Sequence, residues 1–290
     1  MRVTSGVGLP LAAAVLALAA GCGGSSPAQP APLPVEVTPP KLNDAPIITS
    51  LTTGSPRVEA NEEVAVAASV TDAETPIDQL SYRWSAAPVN GEFVGTGRNV
   101  RWRAPRLQRT PDLYSLDLLV TETYTSAGRT AENKVLKSVA IHYNDSPAEI
   151  TRIGTRFLAD LFPEFSVSPQ AAVQDFSDSC RGKADELSDV TNNRINFHIL
   201  SGTYTDVQVD LDATKTSADV SGLCTFVDIP EDPNNPFYGK RESVSGICTL
   251  TAVYENWRWF LCSSHFKGPG AVLLGKEQYR VPGRMVPRSD

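Results

Sequence analysis

Ser146-Pro147-Ala148-Glu149-Ile150-Thr151-Arg152-Ile153-Gly154-Thr155-Arg156-Phe157-Leu158-Ala159-Asp160-Leu161-Phe162 is where the chain changes character. Ser146 is placed to cap a helix, Pro147 fits its first turn, and Glu149 completes a capping box. Ile150, Ile153, Phe157, Leu158, Leu161 and Phe162 then recur at helical spacing and form one apolar stripe. Pro163 limits the helix. The chain before this point alternates with a period of two. The chain after it mixes short helices with strands. The expectation is therefore two modules, all-β and then α+β, divided at residue 145.

On the N-terminal side, Glu63-Val-Ala-Val-Ala-Ala-Ser-Val-Thr71 puts Val64, Val66, Ala68 and Val70 on one face. Leu80, Tyr82 and Trp84 alternate likewise, as do Val100 and Trp102, then Tyr114, Leu116, Leu118 and Val120, then Val139, Ile141 and Tyr143. Pro46, Pro56, Pro76, Pro105 and Pro111 fall between these runs, where a missing N–H is tolerated. This is the pattern of a β-sandwich. The phrases Ala68-Ser-Val-Thr-Asp-Ala-Glu-Thr-Pro76, Leu80-Ser-Tyr-Arg-Trp84, Val100-Arg-Trp-Arg-Ala-Pro105 and Tyr114-Ser-Leu-Asp-Leu118 resemble bacterial PKD and related Ig-like domains. The resemblance spans residues 45–144. It implies a cysteine-free sandwich with a buried Trp on its third strand, matched by Trp84, acting as spacer, adhesion module or stalk.

On the C-terminal side, Ser168-Pro169 opens a second short helix with Ala172, Val173 and Phe176, and a third spans Lys183 to Val190. Strands are expected at Ile195–Ile199, Tyr204–Leu211, Ala218–Ile229, Val244–Tyr254 and Trp257–Phe266, the last two as a hairpin about Glu255-Asn256. Helices followed by a sheet make an α+β module over residues 145–267. Phe157-Leu-Ala-Asp-Leu-Phe162, Ser243–Glu255 and Trp259–Phe266 are similar to NTF2-like (SnoaL-like) domains. That resemblance implies helices packed on a curved antiparallel sheet as a cone with an internal pocket.

The first 21 residues read as a cleavable signal peptide. Arg2 is its only charge and Val7–Ala20 is apolar, short of the ~20 residues a spanning helix needs. Leu18-Ala-Ala-Gly-Cys22 resembles a bacterial lipobox, which implies a lipid such as palmitate on Cys22. Residues 22–44, rich in Gly, Ser, Ala and Pro, read as a tether. Gly23 after the cysteine implies the outer membrane of a Gram-negative envelope. Residues 268–290 read as a tail, in which Ala271–Leu274 is a candidate edge strand. The partners expected are thus the membrane, through the lipid, and an envelope protein, a glycan or a small apolar ligand.

The net charge of −7 lies mostly after residue 144, where 20 acidic and 14 basic side chains stand. Such a chain is a poor nucleic-acid binder. Besides Cys22 there are four cysteines, Cys180, Cys224, Cys248 and Cys262, and in an exported chain they suggest two disulfides. If residues 218–229 pair with 244–254 about Pro236, Cys224 and Cys248 sit opposite, leaving Cys180 to bond Cys262. Cys248 with Cys262 is the rival, disfavoured by a tight turn at Glu255-Asn256 unless a bulge intervenes.

No P-loop, G-x-S-x-G, H-E-x-x-H or dinucleotide motif occurs. A non-catalytic, cofactor-free binding or structural role is expected. The alternative is an NTF2-like enzyme for proton transfer or hydrolysis. His265 is then the residue to watch, since alternation puts it with Trp257, Trp259 and Leu261. His198, Asp206, Asp210 and Asp212 read as solvated. Asp72, Glu74 and Asp78 are calcium candidates set against a plain capped turn. Arg101 and Arg103 point outward together, either to a polyanion or acidic neighbour or simply as a soluble face.

Overall fold

A computed structural model describes residues 43–106, 109–163 and 166–268. The signal peptide, Cys22, most of the tether and Ala271–Leu274 lie outside the described residues. The described chain is mostly β, with few helices and three four-stranded sheets.

Residues 43–144 hold eight strands: β1 Ile47–Thr53, β2 Arg57–Glu59, β3 Glu63–Thr71, β4 Ser81–Ala87, β5 Glu92–Val94, β6 Asn99–Arg103, β7 Asp112–Ser126 and β8 Arg129–Asn144. They form two sheets, ordered β1-β3-β6-β5 and β2-β8-β7-β4. All neighbours are antiparallel except β2 with β8. Alternation does the building. Val64, Val66, Ala68 and Val70 of β3 meet Tyr114, Leu116, Leu118 and Val120 of β7 in one core. A row of rings runs through it from Trp84 to Phe93, Trp102, Tyr114 and Tyr143, with successive centroids 5.2–6.4 Å apart. The fully buried tryptophan is Trp102, not Trp84. Trp84 is half-buried and donates its indole N–H to Gly97 O, while Trp102 donates to Asn90 O. Gly91, at φ +65°, lets the backbone lie on the Trp102 ring; a Cβ there would stand 2.6 Å from Nε1.

The second part begins with α1, Ser146–Thr155, followed by a widened turn over Arg156–Leu161 in which Phe162 N bonds Phe157 O at 2.8 Å. α2 is Pro169–Ala172 and α3 is Gly182–Asn196. β9 Phe197–Leu211, β10 Ser217–Pro230, β11 Glu242–Glu255 and β12 Arg258–Lys267 make one antiparallel sheet in the order β12-β11-β10-β9. The helices bury one face of it. Phe157 packs edge-on against Phe162 and Phe176, and Phe226 against Phe266. Ile150, Ile153, Val190, Leu250, Trp259 and Leu261 fill the rest.

Several expectations shift. α3 runs through Ile195, which is 66% exposed, so Ile195 is not in the strand with Phe197 and Ile199. The two strands expected over 195–211 are one bulged strand. The last turn is Asn256-Trp257, both at positive φ, one residue later than expected. The cap of α1 is Asp145, whose Oδ1 accepts Ala148 N at 3.2 Å, so Ser146 is left for another task.

Both expected disulfides form. Cys224–Cys248 joins β10 to β11 with Cα atoms 5.7 Å apart, and Cys180–Cys262 joins the start of α3 to β12 at 5.2 Å. Cys224 and Cys248 are diagonal rather than opposite, since Cys224 faces Gly246 and Gly222 faces Cys248. The register is centred on Asn235, one residue before the expected Pro236. Cys180–Cys262 closes the longer loop, spanning 82 residues against 24. Replacing Cys180 and Cys262 by Ser should lower the unfolding free energy by about 4 kcal/mol, more than the same change at Cys224 and Cys248. Urea denaturation of the two double variants checks the order.

Candidate functional site

The sheet ends and the helix start meet at one buried polar cluster. Ser146 is fully buried. Its hydroxyl donates to Glu59 Oε1 at 2.8 Å and accepts from Arg57 Nη2 at 2.9 Å and Trp259 Nε1 at 2.7 Å. Its amide N–H donates to Glu59 Oε2 at 3.0 Å. Arg57 also pairs with Glu59, donates to Lys215 O at 2.8 Å, and lies over the Tyr254 ring, 3.7 Å from its centroid. Glu149 does not close a capping box. Its carboxylate accepts from Trp259 N at 3.0 Å and Asn144 Nδ2 at 3.1 Å. Burial pushes the Glu149 carboxyl up, against the opposing pull of those two donors and of Arg152 and Arg57. Tyr254 OH donates to Asn144 Oδ1 at 2.7 Å. Beside the cluster, Trp257 stacks flat on His142, ring centroids 3.9 Å apart and 1° from parallel. Lys215 pairs with Glu62. Every charge here has a partner, as buried charges require.

The sequence candidates fall elsewhere. His265 is exposed, on the face away from Trp259 and Leu261. The cause is a bulge at Cys262, between the pairs Thr251–Ser263 and Ala252–Leu261, which reverses the alternation. Ser264 and Phe266 therefore turn toward the helices in its place. His198 stands 4.0 Å from Glu231 at the surface. Asp212 clamps its own turn: Thr214, Ser217 and Thr216 all donate to it, holding its carboxyl down at about 2.

Asp72 Oδ1 accepts the N–H groups of Glu74 and Thr75 at 2.9 and 2.7 Å, a turn cap. Asp78 is exposed. Among the described residues, no three His, Cys, Asp or Glu side chains gather to hold a metal. The buried acid of that region is Glu122, which the strand pattern would have made apolar. It accepts from Asn43 Nδ2 at 2.7 Å, from Asn133 Nδ2 at 3.0 Å and from Thr75. Arg101 and Arg103 do point outward together. Arg101 turns to Glu63 at 3.3 Å, and Arg103 to Glu63 and to Glu92 at 2.7 Å. Such exposed pairs are screened by water and contribute little to stability.

Two grooves accompany these features. One of about 590 Å³ is lined by Arg109, Thr110, Pro111, Ala148 and Arg152, and one of about 190 Å³ lies beside Arg103 and Arg106. The most perturbed acid is Glu186 of α3, 6% exposed against β12. Burial, with the like charges of Asp189 and Asp185, pushes it up to about 8, although Ser264 donates to it at 2.6 Å.

With this geometry in view, no protein-family model matches the chain, and no curated protein does. Two solved structures are similar in part. An NTF2-like superfamily protein from Salmonella enterica serovar Typhimurium is 14% identical, over 46% of this chain and 96% of its own, with a TM-score of 0.34. The intermembrane-space region of the chloroplast protein ARC6 is 11% identical, over 42% and 95%, with a TM-score of 0.32. Neither likeness is close enough to carry an argument about this chain.

Two outcomes follow from the buried groups. Ser146→Ala removes an acceptor from Trp259 and Arg57 and a donor from Glu59, and should destabilise by about 3 kcal/mol in urea titrations. Glu186 keeps a proton in the folded state that the unfolded chain releases near 4.5. Stability should therefore fall by about 5 kcal/mol as pH rises from 4.5 through about 8, and Glu186→Gln should remove most of that fall. Thermal melts of both proteins across that window check it.

Proposed function

We propose that this chain is a non-catalytic binding or spacing protein of the cell envelope, held to a membrane through lipidated Cys22. The observation that carries the reading is the filled helix–sheet layer. Phe157, Phe162, Phe176, Phe226 and Phe266 occupy the space that an open cone would leave to a ligand. Recognition then falls to the outer surface. Two disulfides fit an oxidising, extracytoplasmic compartment. Among the described residues no helix is long and apolar enough to cross a membrane.

The Ig-like and NTF2-like readings rest on the chain's own geometry. Taking β1, β3, β6 and β5 as strands A, B, E and D, and β8, β7 and β4 as G, F and C, reproduces the constant-type immunoglobulin order. Helices laid before and across one antiparallel sheet are the NTF2-like order. In this reading the sandwich is a stalk, and the buried Ser146 cluster holds the second module at a set angle to it.

Native mass spectrometry of the intact protein, purified with its disulfides, tests this. The expected mass is the bare chain plus acyl groups at Cys22, less the hydrogens of two disulfides. A stoichiometric small molecule that co-purifies would overturn the filled-layer reading, and an unacylated Cys22 would overturn the anchor.

A further inference from the structure

The helices cover one face of the β9–β12 sheet, and the other faces water. Cross-strand partners line up on that open face in four rows of three over β9, β10 and β11. Thr203, Thr225 and Ser245 make one row, and Thr205, Leu223 and Ile247 the next. Ser201, Val227 and Ser243 flank these rows on one side, and Gln208, Ser221 and Thr249 on the other. Every one of these side chains is exposed or half-exposed. With ~3.4 Å per residue and ~4.8 Å between strands, the rows cover a patch of about 20 by 10 Å.

What this patch lacks is charge. The chain is 20% charged, and charged side chains gather at surfaces, so composition alone would place about two among these positions. None is present. Charge returns at the rim, with Asp206 in the β9 bulge, Asp210 opposite Asp219 one row beyond Ser221, and His265 and Lys267 on β12. Eight of the twelve side chains carry a hydroxyl. Those of Thr225 and Ser245 share a hydrogen bond of 2.8 Å. Those of Thr203, Thr205, Ser221 and Thr249 have no protein partner among the described residues. Leu223 and Ile247, 39% and 45% exposed, stand side by side at the centre.

This composition selects a partner. A polyanion or an anionic membrane needs basic side chains, and the patch has none. A protein partner is anchored by Trp, Tyr or Arg, which the patch also lacks, and Ser is depleted in such interfaces. A neutral sugar chain fits what is present. Its ring hydroxyls each give one hydrogen bond and accept two, as Ser and Thr hydroxyls do. The C–H faces of its rings are apolar and suit Leu223 and Ile247. The strand ladder already fixes the backbone under these side chains, so binding has little left to order. A patch twice as long as it is wide suits an extended chain lying along β10.

We propose that this open face, centred on Leu223 and Ile247, binds a neutral polysaccharide. The inference rests on the surface-recognition reading above and names its partner. Intact protein in detergent micelles, sedimented with insoluble cellulose, chitin or cross-linked amylose, tests it. At least one of these neutral polymers should deplete the protein from solution, equally at about 0.1 and about 0.5 M salt. Thr225→Lys, and separately Leu223→Lys with Ile247→Lys, should each weaken that binding about tenfold, by placing an unpaired charge under the sugar. Near-ultraviolet circular dichroism shows whether each variant is folded, and Thr225→Lys decides if the double variant is not. Thr191→Lys, on α3 behind the sheet, should bind as the unaltered protein does. Depletion by none of the three polymers overturns the proposal. So does binding that salt removes, that survives both face variants, or that Thr191→Lys weakens equally. A dimer in analytical ultracentrifugation that Leu223→Lys with Ile247→Lys dissociates also overturns it, since a second copy then covers the face. None of these outcomes bears on whether a small molecule co-purifies or Cys22 is acylated.

Discussion

One hydroxyl carries more of this structure than its size suggests. Ser146 Oγ takes hydrogen bonds from a guanidinium and an indole and gives one to a carboxylate, with no water exposure. Those partners come from β2 and β12, and Ser146 itself opens α1. Each would be a buried, unsatisfied polar group without the others. The two apolar cores are separate clusters. What aligns them is therefore directional hydrogen bonding rather than shared apolar area. A contact of this kind specifies an angle, whereas an apolar contact of similar area would tolerate sliding.

The geometry around Ser146 also decides what each end can do. Three loops are drawn to it: the start of α1, the β9–β10 turn and the β11–β12 turn. The opposite ends of both β arrays are left to water. Asn43 and the Glu122 cluster occupy one, and the β10–β11 loop occupies the other. The helix layer between them is packed with aromatic and aliphatic side chains. Glu186 lies against β12 in that layer, where burial raises its carboxyl and favours the protonated form.

What the sequence showed and what it hid divide along physical lines. Alternation in 63–71, 99–103 and 114–120 was legible because one face of each strand is apolar without exception. The cysteine pairs were legible because strand pairing leaves few partners within reach. The junction was hidden because its residues, Arg57, Glu59, Asn144, Ser146 and Glu149, are types that usually face water. Ser146 and Glu149 even form a convincing capping box. Asp145 displaced it by capping one residue earlier, freeing both side chains to turn inward. His265 was misplaced for a different reason: one bulge residue, Cys262, reverses every side chain after it, and no local composition marks it. Trp257 at positive φ is another such case, since a bulky residue rarely sits there and only its stack on His142 explains it.

The position of β1 has a mechanical consequence. β1 starts at the outer end of the sandwich and runs toward the junction as an edge strand, its ladder made with β3 and its Ile48 and Thr49 carbonyls also accepting from Lys137 Nζ. A pull on Asn43 directed outward draws β1 along its own length. The β1–β3 hydrogen bonds lie across that direction, so they are loaded together in shear instead of being peeled one at a time. A strand attached in this sense resists extension far better than one attached at a hairpin end. A pull applied through the N-terminal end of the described chain would meet that tension first at this strand.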